Sequence, residues 1–156
     1  MIYFNNEKEA FAFKIENPIC IIEDNLWTEY AGTDKWDIIN GVFTDISDTE
    51  EYKQKEAQER EQAFDKSFFN TSLGYVRRSV TMADGSHKDF LSDLLPVISM
   101  GVQSGVPVNI LTYDRPPFDH DIEDWTEYQH KVIVTPQFIQ ECFMQLSNDF
   151  LPINEN

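Results

Sequence analysis

The chain has 156 residues, 41% of them hydrophobic and 13% aromatic, enough apolar material for one core or two small lobes and too much for a disordered chain. Twenty-eight acids against twelve bases leave a formal charge of −16. That balance argues against direct binding to nucleic acid or an anionic membrane surface, since phosphate binding needs clustered Lys and Arg. The same excess either keeps a protein dispersed or lets it imitate a phosphate backbone in a partner's basic groove. Cys20 and Cys142 have apolar neighbours and no CxxC or Cys/His spacing, and read as small buried hydrophobes of a reducing compartment. The opening MIYFNNEKEA lacks a basic region followed by an apolar run, and no run reaches the roughly 20 residues of a membrane span. A cytoplasmic location is expected.

Residues 1–46 read as β-rich. Apolar residues 2–4 and 10–15 flank the polar stretch 5–9, which predicts a hairpin with a longer loop, and residues 19–22 form a short apolar run after Pro18. Asn40-Gly41 between two β-prone runs predicts a tight hairpin, because both central residues of a type I′ turn need positive φ. Trp27 and Trp36 are expected to pack in this lobe. Ser47 with Glu50 matches a capping box opening a helix over 48–69. Glu, Gln, Lys and Arg dominate that helix, and only Tyr52, Ala57, Phe64 and Phe68 offer a narrow apolar stripe. It is either a solvated spacer or one strand of a self-associating pair.

Residues 70–74 break the helix. Alternation over 75–82, with Val76, Val80 and Met82 on one side, predicts a strand, and residues 83–86 predict a turn with Gly85 at positive φ. Residues 87–90 return as a second strand, and Leu91, Leu94, Leu95, Ile98 and Val102 follow at helical spacing, stopped by Gly105 and Pro107. Asp93 as cap would put Pro96 in the first turn, where its missing N–H costs little. Strands are expected at 108–111 and 131–134, and Thr135 with Pro136 opens a last helix striped by Ile139, Cys142, Phe143, Leu146 and Phe150. The tail 151–156 is expected to fray. The fold class is therefore α+β: a small β-rich N-terminal lobe (1–47), a polar connecting helix (48–69) and a C-terminal ββαβ(β)α lobe (70–156) whose helices share one face of the sheet.

Candidate chemistry is sparse. Asp119-His120-Asp121 with Glu123 and Asp124 collects possible metal ligands, but without calcium-loop spacing it reads as a solvated acidic loop, and no metal or cofactor is assigned. Arg77, Arg78 and Lys88, with His87, form the one basic cluster. Surface ion pairs are the ordinary use of such residues; contact with an anionic small ligand is the sharper one. There is no GxSxG, Walker-type loop or HExxH, so no catalytic residue is assigned and enzyme activity is not expected. Trp125 and Tyr128 beside Phe118 either anchor a partner or fold back as a lid. With Tyr52, Phe64 and Phe68 they make up the candidate partner interface.

The run Trp36-Asp37-Ile38-Ile39-Asn40-Gly41-Val42-Phe43-Thr44-Asp45-Ile46, followed by Thr49-Glu50-Glu51-Tyr52 and a Gln/Glu/Lys-rich helix, resembles the middle of phage tail accessory proteins, including tail-fibre assembly chaperones. The C-terminal half, with its Asp84-Gly85 turn and its helix led by Val134-Thr135-Pro136, is similar to a small uncharacterised domain attached to such proteins. Together these cover residues 27–150. The resemblance implies a phage or prophage accessory protein acting by protein–protein contact in the host cytoplasm or on the virion, with a phage or host protein, or a second copy, as partner. The family carries no catalytic residues to transfer. The resemblance does not account for the charge, which leaves open an acidic inhibitor of a host defence, acting as a nucleic-acid mimic or by sequestering an anionic nucleotide.

Overall fold

The computed structural model describes residues 1–150; the tail at 151–156 lies outside them. The fold is α+β, and it divides into two compact units, Met1–Ala57 and Gln58–Asn156, with the division inside the polar helix.

In the first unit β1 (Ile2–Phe4) pairs antiparallel with β2 (Ala10–Phe11) on one side and β3 (Cys20–Ile22) on the other. The strand expected through residue 15 stops at Phe11, and Phe13 is exposed. A short helix, α1 (Asp24–Tyr30), stands in the lobe read as β-rich, over a stretch for which no element was predicted. It brings Trp27 edge-on to Phe4, with ring centres 5.4 Å apart. The hairpin β4 (Trp36–Ile39) and β5 (Val42–Asp45) turns at Asn40 (φ 52°) and Gly41 (φ 78°), as the Asn-Gly pair demands. Phe4, fully buried, sits among Trp27, Trp36 and Phe43, and Trp36 stacks on Phe43 at 5.3 Å.

Helix α2 (Glu50–Ser67) starts two residues later than the capping box suggested. The carboxylate of Asp45 takes both the Ser47 N–H (2.8 Å) and its hydroxyl (2.6 Å), so Thr49 caps instead, accepting the Tyr52 N–H at 3.3 Å. Tyr52 is buried, and its hydroxyl donates to Asp34 Oδ1 at 2.8 Å while Lys55 Nζ lies 2.7 Å from Asp34 Oδ2. Lys55, then Tyr52, hold the Asp34 carboxyl below its usual range, and burial pushes the Tyr52 phenol up.

The second unit is built on an antiparallel sheet in the order β11-β10-β7-β6. Strand β6 (Phe68–Thr71) begins where the helix was expected to continue. A strand places Phe68 and Phe69 on opposite faces, so both are buried, which a polar helix could not achieve. Strand β7 (Gly74–Arg77) returns alongside it, with Phe68 opposite Arg77. The single strand expected over 75–82 is two. Arg78 donates its N–H to Ser67 O and accepts the Phe90 N–H, which turns the chain into a separate hairpin, β8 (Ser79–Thr81) and β9 (His87–Asp89). Val80 is half-buried and Met82 exposed, so the predicted apolar side holds only in part.

A π-helical turn, Phe90–Leu94, leads into α3 (Leu95–Gln103). Asp89 caps the π-helical turn, its carboxylate accepting the Ser92 N–H (2.9 Å), while Asp93 reaches back to the Asp89 N–H (2.8 Å). Helix α3 follows Leu94 with no side-chain cap, so Asp93 does not cap it, and Pro96 falls in its first turn. Strand β10 (Asn109–Tyr113), a 3₁₀ turn at Thr126–Tyr128 and β11 (Gln129–Ile133) follow. Thr135 caps α4 (Pro136–Phe150), accepting the Phe138 N–H at 3.1 Å. Helices α3 and α4 cover one sheet face over a core containing Phe69, Val76, Phe90, Leu95, Phe138 and Cys142. The α4 stripe is centred on Phe138 and Cys142, both fully buried; Phe143, expected inside, is 48% exposed. Among the described residues no helix is long and apolar enough to cross a membrane.

Candidate functional site

The other face of that sheet carries an aromatic cluster. Phe64, near the end of α2, stacks on Phe68 of β6 at 4.3 Å. Phe68 meets Tyr113 of β10 at 5.3 Å, and Trp125 closes over both, 5.6 Å from Phe68 and 5.8 Å from Tyr113. Phe118 and Tyr75 complete the ring wall, 5.6 and 5.0 Å from Phe64. Of the residues read as interface anchors, Tyr52, Phe64 and Phe68 are thus buried, and Phe118, Trp125 and Tyr128 are half-buried. The loop aromatics fold back as a lid instead of standing in solvent, because the rings beneath offer a large apolar surface.

Arginines punctuate this cluster. Arg115 lies across Phe64 (5.4 Å) and Phe118 (5.0 Å) and binds Glu61 (2.7 Å) and Asp65 (2.9 Å), one turn apart on α2. The Asp65 hydrogen bond, foremost among its partners, raises its pKa further, so this guanidinium staples the loop after β10 to the helix. Arg60 binds Asp121 (3.1 Å) and the Phe118 carbonyl (3.1 Å). Arg78 lies on the opposite face over Phe69, paired with Asp149 at 3.0 Å, and Lys88 is exposed on β9. The three residues grouped as an anion contact are therefore separated.

Arg77 differs. Its guanidinium carbon is 4.9 Å from the ring centres of Phe68 and Tyr113 and 5.0 Å from that of Trp125. It makes no hydrogen bond or ion pair with any described residue. It borders a cavity of about 250 Å³ walled by Phe64, Phe68, Phe118 and Trp125, with His120 and Asp121 at its rim. His120 Nδ1 is 2.6 Å from Asp119, and among the described residues no three His, Cys, Asp or Glu side chains gather to hold a metal ion.

Arg77 also borders a second cavity, of about 280 Å³, where β7 and β10 part. Val76, Val80, Leu94, Val97, Ile98 and Ile110 line it. The two strands are paired only at Tyr75 opposite Tyr113. Val134 N–H donates to Val108 O and Asp114 N–H to Tyr128 O, so even-numbered residues of β10 bond toward β11. Antiparallel alternation then turns the N–H and C=O of Asn109 and Leu111 toward β7, where no described strand meets them.

No family model matches the chain, and no curated protein or solved structure matches it either.

Sequence reasoning singled out Arg77, Phe64, Phe68, Phe118 and Trp125, but neither Tyr75 nor Tyr113, and not their assembly. The one local signal was the Phe68–Phe69 pair, which alternates onto two faces if read as a strand. The split between β7 and β10 has no counterpart in the residue pattern, since it depends on where Arg78 is held.

Proposed function

We propose that this chain is a non-enzymatic phage or prophage accessory protein that acts by protein–protein contact, receiving an extended segment of its partner along the free edge of β10. The observation that carries this reading is the unpaired backbone of Asn109 and Leu111 beside an apolar cleft. A free strand edge adds a strand readily, and a cleft beside it accepts that strand's alternate side chains. The charge of −16 favours a segment flanked by Lys or Arg. Tail or tail-fibre assembly is the setting that the sequence resemblance supplies.

Leu111→Pro tests it. Proline removes the N–H that faces the cleft and leaves the bonds to β11 intact. Binding to a purified tail-fibre or baseplate protein of the same phage should fall by about tenfold or more, with the unfolding midpoint held. In the wild-type complex the Asn109 and Leu111 amides should become protected from exchange. Failure to bind any such component, or undiminished binding by a folded Leu111→Pro variant, would remove this reading.

The acidic excess supports a second reading, an inhibitor of host defence that occupies a basic groove. Such binding weakens steeply as salt is added, whereas strand pairing and apolar burial do not.

A further inference from the structure

We infer that the Arg77 cavity is a binding site for a small anion that bears a single flat ring, the anionic group being a phosphate or carboxylate. The inference is independent of the strand-edge reading and rests on four observations.

The first is the state of Arg77 itself. The chain has four arginines, and Arg60, Arg78 and Arg115 each bind a carboxylate. Among the described residues Arg77 binds none, although the chain carries 28 acids. It is half-buried, and a charge removed from water without a partner is costly. The second is what surrounds it. Three ring faces at 4.9 to 5.0 Å attract the cation, but a ring does not accept in-plane N–H bonds as an oxygen does. The guanidinium is therefore held in place while its planar fork stays available for a bidentate oxyanion.

The third is the wall. Phe64, Phe68, Phe118 and Trp125 line the same cavity, and aromatic walls select a flat ring by stacking. The fourth is size and charge. At about 250 Å³ the cavity is below the range typical of drug-sized ligands, so it suits one ring and one anionic group. Arg60 at the rim is already engaged with Asp121, which leaves one guanidinium for the ligand and no match for a polyphosphate.

The test uses the full chain, titrated by calorimetry with uridine monophosphate, phenyl phosphate, benzoate, uridine and inorganic phosphate. At least one ring anion should bind saturably with a Kd of about a millimolar or tighter, displacing the Trp125 indole N–H resonance. Uridine and inorganic phosphate alone should bind about tenfold or more weakly. Arg77→Gln should lose about tenfold or more in affinity, and Arg77→Lys should lose part of it, since the ammonium keeps the charge without the fork. Which ring anion binds best identifies the source, nucleotide or aromatic acid. Absence of binding by all three ring anions would overturn the inference. So would equal binding of inorganic phosphate, or unchanged affinity in a folded Arg77→Gln protein. Should Arg77→Gln fail to fold, the Trp125 resonance in wild type decides: no shift with any ring anion overturns it equally.

Discussion

Tyr75 stands directly opposite Tyr113, and among the described residues this pair alone joins β7 to β10. In one direction both strands stop at once, since Tyr113 ends β10 and Gly74 begins β7; in the other they separate over an apolar cleft. Amide exchange should report this in the free protein. Ile110 and Thr112, bonded toward β11, should be well protected, while Asn109 and Leu111 should exchange much faster. Uniform protection along β10 would mean that the edge is not open.

Gly74 and Thr112 test the crossing point of these strands. Gly74 has φ 121°, and a Cβ there would lie 3.1 Å from the Thr112 side chain. Gly74→Ala should cost about 1–3 kcal/mol through backbone strain, read from denaturant unfolding. Thr112 is fully buried, and its hydroxyl has no partner among the described residues. Thr112→Val keeps the shape and removes the unsatisfied group, so stability should rise by about 1–2 kcal/mol.

Helix α4 separates core from surface within one turn and a half. Phe138→Ala should destabilise by about 3–5 kcal/mol, because a fully buried ring leaves a cavity in close-packed surroundings. Phe143→Ala should stay within about 0.5 kcal/mol, since that ring is 48% exposed. Equal losses in urea midpoints would place the stripe where the sequence first suggested.

Burial, and secondarily the charge of Glu141, pushes the Cys142 thiol up to about 12. A thiol raised in the fold ionises first in the unfolded chain, whose value is about 8.5. The stability tied to the neutral thiol is thus fully present below that value and is lost as pH climbs toward 12. Unfolding measured from about pH 8 to 11 should show a steeper decline for wild type than for Cys142→Ala. At neutral pH the native protein should resist iodoacetamide at Cys142, becoming reactive only on unfolding.

Much of the fold follows from neighbours in sequence. Asn40-Gly41 and Gly85 take positive φ because the turns they form require it, and Thr135 caps α4 because its hydroxyl is the nearest acceptor for an orphan N–H. Where two local acceptors compete, sequence loses the decision. Ser47 and Asp93 were both reasonable caps, yet Asp45 and Asp89 redirected the hydrogen bonds to Thr49 and to Asp89 itself.

The amino-acid order alone determined the α+β class, the Asn-Gly hairpin, the polar helix and the amphipathic last helix, since these rest on φ preferences and on periodicities spanning a few residues. Only the tertiary structure decided that Phe68 leaves the helix for a strand, that 75–82 breaks at Arg78, and that Arg77 ends among Phe68, Tyr113 and Trp125 with no carboxylate partner among the described residues. The reason is range. A guanidinium's partner is whatever the folded chain brings within a few ångströms, and here those groups come from residues as far apart as 68 and 125.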